Sequence, residues 1–388
     1  MRSEKQIEAV RRVMAHLDGK TTDHDGPPSP LAARVYHDPA RLAREEERLF
    51  RGMPVAVGHS SELRAPGDFL THDATGVPLL VVRGDDGELS AFLNVCRHRG
   101  TRVEGAPCGS AKKAFVCPYH SWTYDRAGSL VGIPHEKGFG PVARAERSLV
   151  RVPVGEAAGM IFVRASRPAA GESLALDAAA HLGGIAEDLE GFGLRASHVY
   201  DKRDYVKECT WKLTIDIFLE TYHLRPTHKD SIYPLFFDNV GLVDRVGPHQ
   251  RNVFPKRSIR DLAKEPDDVV GRSLRLHANV LFLVFPNTLV LVQPDHAAVL
   301  SVFPLGPTRT RLCTYTAIPE PALSPKARAY WDANNRILYD ATDEDFRMGE
   351  SIQKNLRESV MGANGTVLFG SFEHALTHFH AEVARRVD

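Results

Sequence analysis

The sequence predicts an α+β chain: an all-β module, then a part in which an antiparallel sheet is flanked by helices. Three observations carry this. The chain has 388 residues, enough for roughly two domains at about 150 residues each. Between residues 55 and 164, short apolar runs alternate with Gly- and Asp-rich turns, the mark of a small β module. Beyond residue 171, strand candidates precede long helical stretches, the order expected of α+β chains.

The elements follow in order. Residues 1–20 are charged and amphipathic and read as a helix, closed by the Gly/Pro/Asp-rich linker 21–31. Residues 41–50 form a short helix with Leu42, Leu49 and Phe50 available for burial. Runs 78–83 and 89–95 flank Gly84-Asp85-Asp86-Gly87, a hairpin turn. Segments 113–116, 122–124, 129–131 and 160–164 continue the β pattern, and 166–171 reads as a linker. In the second part, 174–189 is helical with a break at Gly183-Gly184, 197–209 is a strand, and 211–222 is an apolar helix. Residues 279–292, 298–304 and 311–318 are successive strands. Ser324-Pro325 opens a helix as N-cap and first residue; 343–358 and 372–387 are helical as well. The expected division is 1–45 as an N-terminal helical segment and linker, 46–165 as the β module and 171–388 as the second domain.

Composition narrows the function. Lys plus Arg and Asp plus Glu are 49 each, so no electrostatic footprint for nucleic acid or an acidic membrane surface is present. No apolar run approaches the roughly 18 residues of a membrane span, and the N-terminal segment lacks the apolar core of a signal peptide. A cytoplasmic protein is expected. Five cysteines are too few for a disulfide scaffold of this size.

Two constellations carry chemistry. Cys96-Arg97-His98 is followed, after eighteen residues, by Cys117-Pro118-Tyr119-His120. Each half offers one thiolate and one imidazole at a strand end, where a loop can direct both to one point. Structural zinc fits such a set, and so does a [2Fe–2S] cluster in which two His replace two Cys on one iron. Zinc fingers usually pair their cysteines as C-x2-4-C, which this chain does not. Arg97, Arg99 and Gly100 favour the cluster, because cations and close backbone N–H groups stabilise bridging sulfides.

The second constellation lies in residues 211–228. On an undistorted helix His223 and His228 would diverge by about 140°. Pro226 disfavours helical geometry at Arg225, so the helix is expected to end just after His223 and let His228 swing back. Two imidazoles and one carboxylate make the facial triad of non-haem Fe(II) oxygenases, whose open positions take O2.

CRHRG and CPYHSWTYDRAGSL together resemble the Rieske module of ring-hydroxylating and related Rieske non-haem iron oxygenases. The run W-K-x-x-x-D-x-x-x-E-x-Y-H-x-x-x-x-H resembles the catalytic signature of the same family. The resemblance spans about residues 34–388 and implies a Rieske [2Fe–2S] domain joined to a helix-grip catalytic domain. By it, Cys96 and Cys117 hold one iron of the cluster and His98 and His120 the other. His223 and His228 hold a mononuclear iron, with the carboxylate taken from a late helix at Asp345, Asp343 being the alternative. Glu220 occupies the position of an inter-subunit bridge, usually Asp in the family. It is a catalytic candidate together with Asp216 of the same motif. Ile217 departs from the family pattern, where Asn is frequent.

The resemblance further implies a terminal oxygenase using a [2Fe–2S] cluster, Fe(II) and O2. Electrons come from NAD(P)H through a separate reductase, with or without a ferredoxin, and a head-to-tail homotrimer brings the cluster of one chain beside the iron of the next. Hydroxylation or oxidative demethylation of a small organic molecule is the expected reaction. The alternative is a Rieske-type electron carrier with a non-catalytic binding domain. Residues 232–239 and 281–291 are expected to wall the substrate pocket, and Arg245, His249 and Arg251, on a predicted loop, could engage a carboxylate, although such residues are more often simply solvated.

Overall fold

The computed structural model describes residues 1–388, the side chain of Glu358 apart. The chain divides into two compact units, residues 46–181 and residues 1–45 with 182–388.

The smaller unit is made of three antiparallel sheets. The largest orders its strands Arg151–Val152, Leu89–Leu93, Leu79–Arg83, Phe69–His72, Cys108–Gly109. Two three-stranded sheets join Val154–Ala157, Met160–Arg164 and Pro54–His59, and Ala114–Val116, Thr123–Asp125 and Leu130–Gly132. The 84–87 turn closes a hairpin, Gly84 N–H donating to the Glu88 carbonyl at 2.8 Å. Gly87, at φ 82°, adopts the left-handed conformation that glycine accepts without steric cost. Phe69, Phe92, Phe115, Trp122 and Tyr124 form one core with Cys96 and Cys117. Residues 171–181, expected with the second domain, belong to this unit. Main-chain hydrogen bonds from Val154 N–H to Leu174 and from Leu176 N–H to Val154 tie them to its sheet.

The larger unit centres on a seven-stranded antiparallel sheet. Strand His198–Lys207 lies at one edge, followed in space by Thr310–Ile318, Ala297–Pro304, Thr288–Val292, Ala278–Val284, His249–Pro255 and Leu242–Val246. From residue 242 to 318 the chain is thus a meander, closed by the earlier strand at 198. Strands Ala278–Val284 and Ala297–Pro304 are buried along almost their whole length, which explains their unbroken apolar runs. Helix Trp211–Phe218 packs on strand Ala297–Pro304 and on the long helix Pro325–Asn355. Ser324 Oγ caps that long helix by accepting from Ala327 N–H at 3.1 Å. What reads in sequence as two late helical stretches is therefore one continuous helix of 31 residues.

Residues 1–45, expected as a separate segment, pack within this unit. Helix Ser3–Gly19 buries Val10 and Val13 against helix Asp267–His277. Ser29–Ala32, inside the predicted linker, pairs as a strand with Thr366–Phe369. Glu45 is fully buried and accepts from Trp211 Nε1 (2.8 Å), Lys212 Nζ (2.5 Å) and Arg41 Nε (3.1 Å). Among the described residues no helix is long and apolar enough to cross a membrane.

Candidate metal centres

The two Cys/His loops of the smaller unit close in the same way. Cys96 N–H donates to the Thr101 carbonyl (2.8 Å) and Gly100 N–H returns to Cys96 (3.0 Å). In the second loop Cys117 N–H donates to Trp122 (2.8 Å) and Ser121 N–H returns to Cys117 (3.0 Å). In each loop the fourth residue after the cysteine has a positive φ, 84° at Gly100 and 58° at Ser121. That conformation turns the chain back on itself within one short loop.

The loops face each other. Both thiols are buried and in contact, while the His98 and His120 rings, partly exposed, stand 4.7 Å apart. Trp122 stacks on His98 at 4.9 Å. Tyr124 OH accepts from Arg97 N–H at 2.9 Å, which leaves its proton for Cys96 Sγ at 3.4 Å. Burial pushes the Cys117 thiol pKa up and Cys96 adds to the rise, against the backbone N–H groups of Tyr119 and His120. Burial and the neighbouring His120, Arg99 and Arg147 hold His98 below the usual histidine range, leaving a lone pair free. A buried sulfur pair beneath a more exposed imidazole pair fits a [2Fe–2S] cluster with two His on its outer iron.

In the larger unit the helix predicted over 211–222 stops at Phe218, with Leu219 as its C-cap. Beyond it the Glu220 carboxylate folds forward. Its Oε2 accepts from the N–H groups of Tyr222 and of His223 (3.1 Å), and its Oε1 meets His223 Nδ1. A single helical turn, Leu224–Thr227, follows and contains Arg225 and Pro226. Sequence reasoning placed Arg225 outside helical geometry; a proline is tolerated there because the first turn needs no amide donor. His228 then points back: its Nδ1 meets Glu344 Oε2 at 2.6 Å, and Ser231 Oγ donates to the same oxygen at 2.6 Å.

Each imidazole is thus held at Nδ1 by its own glutamate and presents Nε2. Both Nε2 atoms converge on Asp345 Oδ1, at 3.3 Å from His223 and 2.8 Å from His228. One donor atom from each of the three lies within 4.8 Å of the others. Asp345 Oδ1 is buried, and although both Nε2 atoms lie close to it neither ring is aligned to donate to it, an arrangement that a cation between them would satisfy. Burial opposes a charge on His223, yet the carboxylates of Asp345 and Glu220 push its pKa up to about 10. Burial raises the Asp345 pKa, but His223 and His228 outweigh it and hold it low. A divalent cation takes over the part those protons play, so the donor set fits mononuclear iron.

Other candidates go elsewhere. Asp343 pairs with Lys207 at 2.8 Å, away from this set. Asp216, proposed as catalytic, is buried and bound by Tyr36 OH (2.6 Å) and His380 Nε2 (3.0 Å). It ties the N-terminal segment to the last helix, and it does not line the cavity at the triad. The reason is the early helix end: four residues apart on a continuous helix, Asp216 and Glu220 would share a face, and the turn at 219 separates them. Glu344 is the residue that sequence reasoning missed as an orienting group. Its signal was its place beside Asp345 in an acidic pair.

The chain matches the family model of the ring-hydroxylating alpha subunit, catalytic domain, over residues 194–388. It belongs to that family. The Rieske [2Fe-2S] domain model matches residues 53–152, which decides between cluster and zinc. This Rieske oxygenase alpha subunit is 28% identical to the carnitine monooxygenase oxygenase subunit of Escherichia coli (strain K12) over 378 residues, 92% of this chain and 93% of that one. It is 35% identical to the chlorobenzene dioxygenase subunit alpha of Cupriavidus sp. (strain PS12) over 218 residues, 55% of this chain. That match spans about half of the relative, 48% of its length. A quaternary ammonium Rieske monooxygenase superposes with a TM-score of 0.78 at 23% identity, covering 93% of this chain and 96% of that one. Naphthalene 1,2-dioxygenase from Rhodococcus sp. gives 0.73 at 19%, covering 98% and 97%. These likenesses show a shared fold. Members of this family are Rieske non-haem iron oxygenases and oxidoreductases, with a [2Fe–2S] cluster and a mononuclear iron.

Proposed function

We propose that this chain is the terminal oxygenase component of a multi-component system, hydroxylating or oxidatively demethylating a small organic substrate. The observation that carries the reading is the convergence of His223, His228 and Asp345 beside a largely apolar cavity, with Glu220 and Glu344 fixing the two imidazoles. One oxygen atom of O2 enters a substrate C–H bond and the other leaves as water, with two electrons and two protons consumed. When bound, the cluster stores single electrons and the ferrous iron activates O2.

The chain's own residues do the rest. Cys96, His98, Cys117 and His120 hold the cluster. Glu220 and Glu344 keep the histidine protons on Nδ1, so that Nε2 is free to bind metal. Ile217, Phe218 and Phe236 exclude water from the cavity. A separate NAD(P)H-dependent reductase, with or without a ferredoxin, supplies the electrons, and a homotrimer allows Glu220 to meet a cluster histidine of a neighbouring copy. The electron-carrier alternative leaves the triad and its cavity without a use. Iron and acid-labile sulfide assays, followed by product analysis with a surrogate reductase, NADH and Fe(II), test the reading. Absence of iron from the anaerobically reconstituted protein, or of any O2-dependent product from a broad substrate screen, would overturn it.

A further inference from the structure

We infer that Ser231 is a positioning residue for the metal: through Glu344 it ties the chain segment 229–233 to His228, so that this segment and the imidazole behave as one piece. The inference rests on the oxygenase reading above and adds to it how one of the two histidines is held.

The two orienting glutamates are themselves held differently. Glu220 lies in the turn that carries His223, and the main-chain N–H groups of Tyr222 and His223 fix it there. Glu344 comes from the long helix and has no such turn around it. Among the described residues two groups bond its carboxylate, His228 Nδ1 and Ser231 Oγ, both on Oε2 at 2.6 Å. It forms an ion pair with His228 and none with Lys or Arg. The cations of the 242–255 hairpin are engaged elsewhere: Arg251 pairs with Asp188 and Asp244, and Arg245 with Asp25. His249 accepts from Phe285 N–H at 3.0 Å. All three lie in the paired strands Leu242–Val246 and His249–Pro255, not in a loop, which corrects their reading as carboxylate binders. A glutamate side chain has several rotatable bonds, and this one is 25% exposed. Without Ser231 it would be free to exchange its remaining anchor for water.

The serine has one proton to give. Its oxygen lies 3.4 Å from the His228 carbonyl and 2.6 Å from Glu344, so the proton goes to the carboxylate, where the bond is charge-assisted. The His228 carbonyl already accepts from the N–H groups of Ser231 and Tyr233, both at 3.1 Å. A ring of bonds thus closes, from the His228 main chain to Ser231, from Ser231 Oγ to Glu344, and from Glu344 back to His228 Nδ1.

The neighbours of Ser231 give that ring its use. Ile232 belongs to the wall of the triad cavity. Lys229 and Tyr233 line a larger outer cleft that shares His223 with the cavity. The far end of the segment is clamped by Arg257, whose Nε donates to the Pro234 carbonyl at 3.2 Å and whose guanidinium stands 5.7 Å from the Tyr233 ring. A molecule in the cavity or the cleft presses on residues to either side of the serine that steadies Glu344. Displacing the segment separates Ser231 from Glu344 and lets the His228 ring turn.

Nitric oxide added to the Fe(II)-loaded holoenzyme, with the cluster oxidised and therefore silent, tests the inference through the EPR signal of the iron nitrosyl. Ser231→Ala should change the rhombicity of that signal. It should also lower iron retention against a chelator by about three- to tenfold, less than loss of a group that bonds the ligand directly, with cluster content and melting temperature close to wild type. Ser231→Thr, which keeps the hydroxyl, should restore both readouts. Arg257→Gln loosens the segment from its far end without touching Glu344. It should change the nitrosyl signal in the same direction, and add nothing in the Ser231→Ala background. A lower melting temperature in Ser231→Ala with the wild-type nitrosyl signal and iron retention would reduce the serine to a fold contact and overturn the inference. So would failure of Ser231→Thr to rescue, or a wild-type signal in Arg257→Gln. Failure of the oxygenase reading shows separately, as a wild type that retains no iron. The downfield Nδ1–H resonance of His228 in the metal-free protein then decides: present in the wild type and lost in Ser231→Ala if the serine positions the ring, unchanged if it does not.

Discussion

In the smaller unit the four proposed cluster ligands lie within residues 96–120, on loops closed by main-chain hydrogen bonds. In the larger unit, Glu344 lies 116 positions beyond the His228 whose Nδ1 it meets, and the two imidazoles are aimed by side-chain carboxylates. The first site is a local property of two turns. The second exists only once a long helix has docked on the sheet. One should therefore respond to changes of backbone conformation and the other to changes of a single carboxylate.

The largest expected effect is at the cluster. Cys117→Ser should abolish the visible bands and the rhombic EPR signal of the reduced protein. It should also destabilise the smaller unit by about 5 kcal/mol or more, because metal binding energy is folding energy in such modules. Calorimetry in which the unit keeps its transition without a cluster would break the comparison.

Next, Asp345→Ala or His228→Ala should lower mononuclear iron and product formation to background, with the cluster EPR signal intact. Loss of both signals together would mean that the two sites are not independently built.

Smaller effects separate the two glutamates. Glu344→Gln keeps shape but replaces an acceptor by a donor, so iron retention against a chelator should fall by about 10–100-fold. Glu220→Gln should show the same loss. If Glu220 also carries electrons between subunits, its turnover per bound iron should fall well beyond that of Glu344→Gln, with slowed cluster oxidation in a single turnover. Equal turnover per iron in the two variants would confine Glu220 to orienting His223.

The smallest effect tests the turns. An added Cβ at Gly100 meets no atom within 4 Å, so Gly100→Ala carries only the cost of its positive φ, about 1–2 kcal/mol. Thermal melting should report that loss while the cluster spectrum stays unchanged.

The same contrast decides what could be read from the sequence. The convergence of the Cys/His loops was legible because each contains one cysteine, one histidine and the turn that aims them. The later strands of the meander, from Ala278 to Ile318, were legible because burial on both faces leaves continuous apolar runs; Leu242–Val246 and His249–Pro255, with charged side chains interspersed, read as a loop. The role of Glu344 was not, since nothing near it in sequence shows which imidazole it will face. Asp216 was assigned to the site because it belongs to the same motif as Glu220, and nothing near it in sequence shows that it faces Tyr36 and His380 instead. Arg245 and Arg251 looked free because their acidic partners, Asp25 and Asp188, lie far away along the chain.

The long helix Pro325–Asn355 has a consequence for how such an enzyme can change. It is pinned on one side of the site by Asn335, which accepts from Thr316 Oγ1 (2.8 Å) and donates to Asp201 (3.0 Å). On the other side, Glu350 and Gln353 accept from the N–H groups of Glu208 (3.1 Å) and Thr210 (2.8 Å). Between these anchors the helix carries Leu338, Ala341 and Thr342 of the cavity wall as well as Glu344 and Asp345. Its register is fixed by residues outside the cavity, so the wall positions can be exchanged without moving Asp345. Selection can remodel the substrate-facing side of the helix one side chain at a time. An insertion or deletion of one residue between the anchors, by contrast, would turn Asp345 by about 100° and end the chemistry at a stroke.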